Sequence, residues 1–200
     1  MALVSFMYIV LIVYTLKLSV YIHFGSRKFF ALFFPLLYRI LDYLYKYVYN
    51  SYDTMLHTIT TLSDPLLALI KDDPVRPDIP VDFRVSDHCS VYVLLDDEYR
   101  KPQAVVCVAR KSSVPKDVLE LASADSESPT VAVFYTIWSY SPGAGRKLIQ
   151  EAQKSIRVEF KNIKTFVTLS PPTEIARSFH LRNGAGVLSV NPDTVNYIYE

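Results

Sequence analysis

The sequence predicts an α+β (α/β) domain, a mixed central sheet flanked by helices, preceded by a hydrophobic helical segment. Three observations point there. Residues 130–140 are a near-continuous apolar run, as in a central strand covered on both faces, and they lead into a glycine turn and a helix. After that one helix a second strand-like run, residues 162–169, returns, which is the order a parallel crossover requires. Composition also breaks sharply near residue 50, where an aromatic, apolar leader gives way to mixed sequence.

Two hundred residues suffice for one ordinary domain, or for a smaller domain with an appendage. Between Met1 and Phe24 the only charged side chain is Lys17. About 20 apolar residues span a bilayer as a helix, and Lys17 could snorkel to the headgroups. Arg27 and Lys28 follow while no Lys or Arg precedes the run, so the positive-inside tendency places the rest of the chain in the cytoplasm. Residues 29–49 are rich in Phe and Tyr, with Arg39, Asp42 and Lys46 on one helical face. Such a segment suits the membrane interface, a hairpin with the first helix, or a core-packing helical pair. Residues 1–50 are therefore expected to be a helical leader and a membrane anchor for a cytoplasmic catalytic domain.

Residues 51–80 read as a helix and a Pro-rich connector. Met55, Leu56, Ile59, Leu62, Leu66, Leu67 and Ile70 recur at helical spacing, and Asp64-Pro65 suits either a kink or a restart. Pro74, Pro77 and Pro80 make residues 71–80 a stiff, extended link. Residues 81–200 then form the main domain. Its early part holds strands near 90–95 and 104–109 joined by a polar turn, and a short helix at 118–122.

Charge excludes some functions. Residues 1–50 carry five Lys/Arg against one Asp, residues 51–128 eight basic against fourteen acidic, and residues 129–200 eight against five. No segment has the clustered basic character of a nucleic-acid surface. Cys89 and Cys107 lie in apolar runs and read as buried thiols. The four histidines are scattered, without the recurrent spacing of metal ligands, so no metal is expected.

The chemistry lies toward the C-terminus. Gly143 and Gly145 sit between the strand at 130–140 and a helix running to about residue 158. Strand, glycine turn and helix form a phosphate-cradling arrangement, because glycines permit close approach and the first helical amides point at an anion. Gly143, Ala144, Gly145, Arg146 and Lys147 are the candidate ligand-binding residues. Ser170-Pro171-Pro172-Thr173 then opens a helix over residues 174–181, Asn183-Gly184 ends it, and strands follow at about 187–190 and 195–199. Ser170 before two prolines also suits a helix N-cap, and His180 between Phe179 and Leu181 suits a structural histidine.

This order of elements resembles the second half of the GNAT (acyl-CoA N-acyltransferase) fold. That family holds the coenzyme A pyrophosphate with Arg/Gln-x-x-Gly-x-Gly/Ala. Here the string is Tyr140-Ser141-Pro142-Gly143-Ala144-Gly145, with Tyr140 at the Arg/Gln position. Three strings, Thr165-Phe166-Val167-Thr168-Leu169-Ser170-Pro171, Phe179-His180-Leu181-Arg182-Asn183-Gly184-Ala185 and Val195-Asn196-Tyr197-Ile198-Tyr199, are similar to segments of the malonyl-CoA decarboxylase catalytic domain. The likeness covers about residues 130–200. It implies a coenzyme A thioester as substrate and Ser170 and His180 as the catalytic pair. Ser170 would hold the departing carboxylate, and a histidine of ordinary pKa would protonate the enolate. The family's long helical insertion between these two residues is replaced here by nine residues. The alternatives are a GNAT N-acyltransferase acting on an amine and a membrane-tethered, non-catalytic coenzyme A-binding module.

Overall fold

The computed structural model describes residues 54–96, 98, 100–124 and 128–200. The expected hydrophobic leader, residues 1–50, lies outside the described residues. Among the described residues no helix is long and apolar enough to cross a membrane.

Among the described residues seven strands form one mixed sheet: β1 (Thr54–Ile59), β2 (Cys89–Asp96), β3 (Pro102–Lys111), β4 (Val131–Ser139), β5 (Thr165–Thr168), β6 (Gly186–Val190) and β7 (Val195–Tyr199). Their spatial order is β1-β2-β3-β4-β5-β7-β6. Only β4 and β5 run parallel; the other neighbours are antiparallel. Among the described residues the α-helices are α1 (Val81–Arg84), α2 (Val118–Ala122), α3 (Ala144–Glu159) and α4 (Glu174–Arg182). This is the predicted mixed sheet with flanking helices.

Each face of the sheet has its own core. Leu148, Ile149, Ala152 and Ile156 repeat along one side of α3 and pack on Tyr92, Val106, Phe134 and Phe166. On the opposite face Ile70, Leu121, Val91, Val105, Val133 and Tyr135 come together. Cys89 and Cys107 are free thiols buried in this second core, and burial pushes Cys107 up to about 12, so it stays a neutral thiol.

Two expectations for residues 51–80 are corrected. Thr54–Ile59 is a strand rather than the start of a helix, paired antiparallel with β2 along its own whole length, from Thr54↔Asp96 to Ile59↔Val91. The positions Met55, Leu56 and Ile59 satisfy either period; in the fold Met55 and Ile59 join one core and Leu56 the other, the alternation of a strand. Pro65–Asp72 does form a helical turn, of the 3₁₀ type, with Pro65 in its first turn and the Asp64 side chain accepting from the Leu66 amide at 2.9 Å.

The proline-rich stretch after it is folded down rather than extended. Asp73 and Arg84 are fully buried and form an ion pair at 2.7 Å. Asp73 Oδ1 also accepts from the Val75 and Arg76 amides and from Thr136 Oγ1. Burial alone would raise the Asp73 carboxyl, but the bonds from Arg76, Thr136, Val75 and Arg84 hold it below the ordinary carboxylate range. Prolines remove amide donors that a helix would need; here the Val75 and Arg76 amides find a carboxylate instead.

Candidate active site between β4 and β5

The two parallel strands pair only over a short stretch, from Val131↔Thr165 to Phe134↔Thr168. A last ladder bond runs from the Leu169 amide to the Phe134 carbonyl at 3.1 Å. Beyond it the strands separate for two reasons. β4 carries an extra residue, because Cys107 pairs with Thr136 and Val108 with Phe134, leaving Tyr135 unmatched; such a bulge bends its strand. On the other side, Ser170 pairs with Val195 through two backbone bonds, Ser170 N–H to Val195 O at 3.0 Å and the reverse at 2.8 Å. The chain after β5 is thereby drawn toward β7.

The gap is a cavity of about 220 Å³ lined by residues 134–139, Gly145, the start of α4, and Ser170 and His180. Its wall is apolar, with Val75, Ile137, Trp138, Ile175 and Phe179 prominent. Ser170 and His180 meet at its inner end, with Ser170 Oγ 2.8 Å from His180 Nε2. Both are buried, each 4 % exposed. Nine intervening residues therefore suffice to bring the pair together, because α4 places His180 on its buried side.

Ser170 is not the cap of that helix. The cap is Thr173, whose hydroxyl accepts from the Ala176 amide at 3.3 Å. Ser170 Oγ lies instead in a side-chain chain: it donates to Thr168 Oγ1 at 3.0 Å, which also accepts from the Tyr197 amide. His180 Nδ1 lies 2.8 Å from Tyr199 Oη. With the serine proton on Thr168, Nε2–H donates to Ser170 and the Tyr199 hydroxyl donates to Nδ1. Burial raises the Tyr199 phenol, which keeps that hydroxyl protonated. Tyr197 stacks on the imidazole at 4.8 Å and 28°, and Phe179 meets it edge-on at 5.2 Å.

Desolvation in this aromatic box pushes the His180 imidazole down to about 4. The expected histidine of ordinary pKa is corrected accordingly: at neutral pH the ring is neutral.

At the other end, Gly143 takes φ +80° as the residue before α3, a left-handed conformation natural to glycine. Gly145 serves packing: a Cβ there would lie 3.3 Å from the Phe179 ring. Ala144 and Gly145 are buried, whereas Arg146 is exposed. Tyr140, at the position where the family pattern has Arg or Gln, donates to Asp72 at 2.9 Å and accepts from Trp138 Nε1 at 3.0 Å. Thr168, Tyr197 and Tyr199 were not singled out by sequence reasoning. Their signal was available in strand alternation, which puts Tyr197 and Tyr199 on one face of β7.

Known structures resemble this one. A malonyl-CoA decarboxylase from Agrobacterium vitis superposes with a TM-score of 0.53 at 24 % identity, covering 70 % of this chain and 39 % of that one. An acetyltransferase of the GNAT family from Desulfovibrio desulfuricans gives 0.52 at 14 % identity, over 74 % of this chain and 99 % of its own. The chain carries the GNAT fold. A Bacillus subtilis acetyltransferase in complex with CoA gives the same TM-score of 0.52 at 10 % identity, covering 74 % of this chain and 99 % of that one. The GNAT domain described here spans about two fifths of the length of the Agrobacterium decarboxylase. Neither a protein-family model nor a curated protein sequence matches the chain. Among the described residues no cluster of His, Cys, Asp or Glu could hold a metal ion.

Proposed function

We propose that the protein is an acyl-CoA-utilising enzyme whose Ser170–His180 pair decarboxylates malonyl-CoA or a related β-carboxy thioester. The 2.8 Å contact between these side chains at the buried end of the cleft carries the reading. The likeness to malonyl-CoA decarboxylase and to acetyltransferases supports it. The pyrophosphate would rest on the turn from Gly143 to Lys147, where the left-handed Gly143 aims the start of α3 outward.

The substrate carboxylate lies against the Ser170 hydroxyl. Among the described residues no Lys or Arg lines the cavity, so the carboxylate is poorly solvated, which favours its loss as neutral carbon dioxide. Its negative charge beside Nε2 raises the imidazole pKa from the low value that burial gives it, so a proton is taken up with the substrate. The carbon–carbon bond breaks, its electron pair passes into the thioester enolate, and carbon dioxide leaves. A backbone N–H of β4 holds the enolate oxygen. His180 gives its proton to carbon, yielding the acetyl thioester, and Tyr199 keeps the ring oriented.

Incubating the protein with malonyl-CoA tests this, with acetyl-CoA and carbon dioxide formed in equal amounts as the expected result. Acylation of a polyamine from acetyl-CoA without any decarboxylation would make the protein an N-acyltransferase. Thermal protection by coenzyme A without turnover of either substrate would make it a binding module.

A further inference from the structure

When two parallel strands part, the carbonyls along their inner edges lose ladder partners and need others. Where β4 and β5 part, those carbonyls belong to Tyr135 on β4 and to Leu169, the residue that follows β5. A single side chain serves both. Arg76 Nε donates to the Tyr135 carbonyl at 2.9 Å, and the Nη2 donor of the same guanidinium reaches the Leu169 carbonyl at 2.7 Å. One of these carbonyls directly precedes Ser170; the other precedes Thr136, which lines the cavity.

Arg76 is itself held from several sides. Its amide donates to Asp73 Oδ1 at 3.0 Å, and its carbonyl accepts from Arg84 Nη2. Asp73 Oδ1 also takes the Thr136 hydroxyl at 2.7 Å, so the loop at residues 73–76 is bonded to both strands. Arg76 is absent from the residues lining the cavity, and both of its guanidinium contacts are to protein backbone.

We infer that Arg76 is a positioning residue whose planar two-donor fork sets the separation of β4 and β5. It thereby sets the distance between the Ser170–His180 pair and the β4 wall against which an acyl group lies. Two donors in one rigid plane fix a distance and an angle together. A lysine ammonium, a compact charge on a flexible stem, satisfies one carbonyl and leaves the other. The identity of the acyl group rests on the proposed function; the clasp does not.

The test compares Arg76→Lys and Arg76→Met with the wild-type chain. Trp138, the single tryptophan, lines the cavity, so its fluorescence reports the β4 wall directly. Both variants are expected to lower kcat on malonyl-CoA by at least about tenfold, since small misplacements are costly in turnover. KM stays within about twofold, as expected when no substrate contact is removed. Trp138 emission moves to the red in both variants, while coenzyme A still protects them thermally. Arg76→Lys retains the charge and most of the packing, so it carries the test where Arg76→Met does not fold. Wild-type kcat and emission in Arg76→Lys would overturn the inference, because charge alone would then suffice. A loss confined to KM would overturn it too, by making Arg76 a substrate ligand. If the wild type does not turn over malonyl-CoA, the functional reading fails alone, and unchanged Trp138 emission in Arg76→Lys still decides against the clasp.

Discussion

Replacing His180 by Gln is expected to lower malonyl-CoA turnover by about 10²–10⁴-fold, the usual worth of a positioned acid–base group, while coenzyme A continues to bind. Gln keeps a polar group near Ser170 but has no ring nitrogen to carry the proton. Ser170→Ala removes the hydroxyl proposed to meet the carboxylate and is expected to fall in the same range. The double variant should be no worse than the weaker single one, because residues that act as a unit are not additive. Turnover within about twofold of wild type in the double variant would remove both residues from the chemistry.

The same substitution has an opposite consequence for acid stability. The His180 pKa falls from 6.5 in the unfolded chain to about 4 in the fold. The unfolded state therefore binds the proton more readily between those values. Stability contributed by the neutral buried ring is complete above pH 6.5 and is lost as the pH falls toward 4, up to about 3 kcal/mol at 1.36 kcal/mol per pKa unit. Denaturant midpoints of His180→Gln should thus fall less steeply than wild type across that window, and parallel curves would show that the ring is not held neutral by burial. A buried imidazole in an aromatic box is costly to the fold in acid.

The second large effect concerns Arg84. Arg84→Met leaves the Asp73 carboxylate fully buried without its cation, and breaking such a pair from one side costs on the order of 3–5 kcal/mol. Arg84 also donates to the Ile79 carbonyl at 3.1 Å and to the Arg76 carbonyl, so the loop that carries Arg76 loosens with it. For a domain of this size each kcal/mol shifts Tm by about 2–4 °C, and a drop of roughly 10 °C is expected by calorimetry. Added salt should recover little of it, since a buried pair is poorly screened. A Tm within about 2 °C of wild type would place the ion pair outside the energetics of the domain.

How far these features can be read from the residues depends on the range of the interactions that create them. The strands from Cys89 onward, α2, α3 and α4 follow from local pattern: apolar runs bounded by turn residues, one-sided spacing along α3, and Gly143 where the chain must turn left-handed. Thr54–Ile59 does not, because Met55, Leu56 and Ile59 fit two periods and the open edge of β2 decides between them. The Asp73–Arg84 pair and the Arg76 clasp are equally invisible, since a bond from Arg76 to a carbonyl 93 positions away leaves no local trace. Within the site, Ser170 and His180 were legible through their strings, whereas the contact between them depends on Ser170 bridging to Val195. Tyr199 reaches His180 only because β7 lies beside β5 in the sheet order.

We propose that one cleft runs from the Gly143 turn to the Ser170–His180 pair and takes an acyl-CoA along its length. A structure determined with coenzyme A bound tests it most directly. The expected complex has pyrophosphate oxygens on the amides following Gly143, pantetheine between β4 and β5, and the thiol sulfur within reach of Ser170 Oγ. Coenzyme A seated elsewhere, or entering this cleft with its sulfur pointing away from Ser170 and His180, would contradict it.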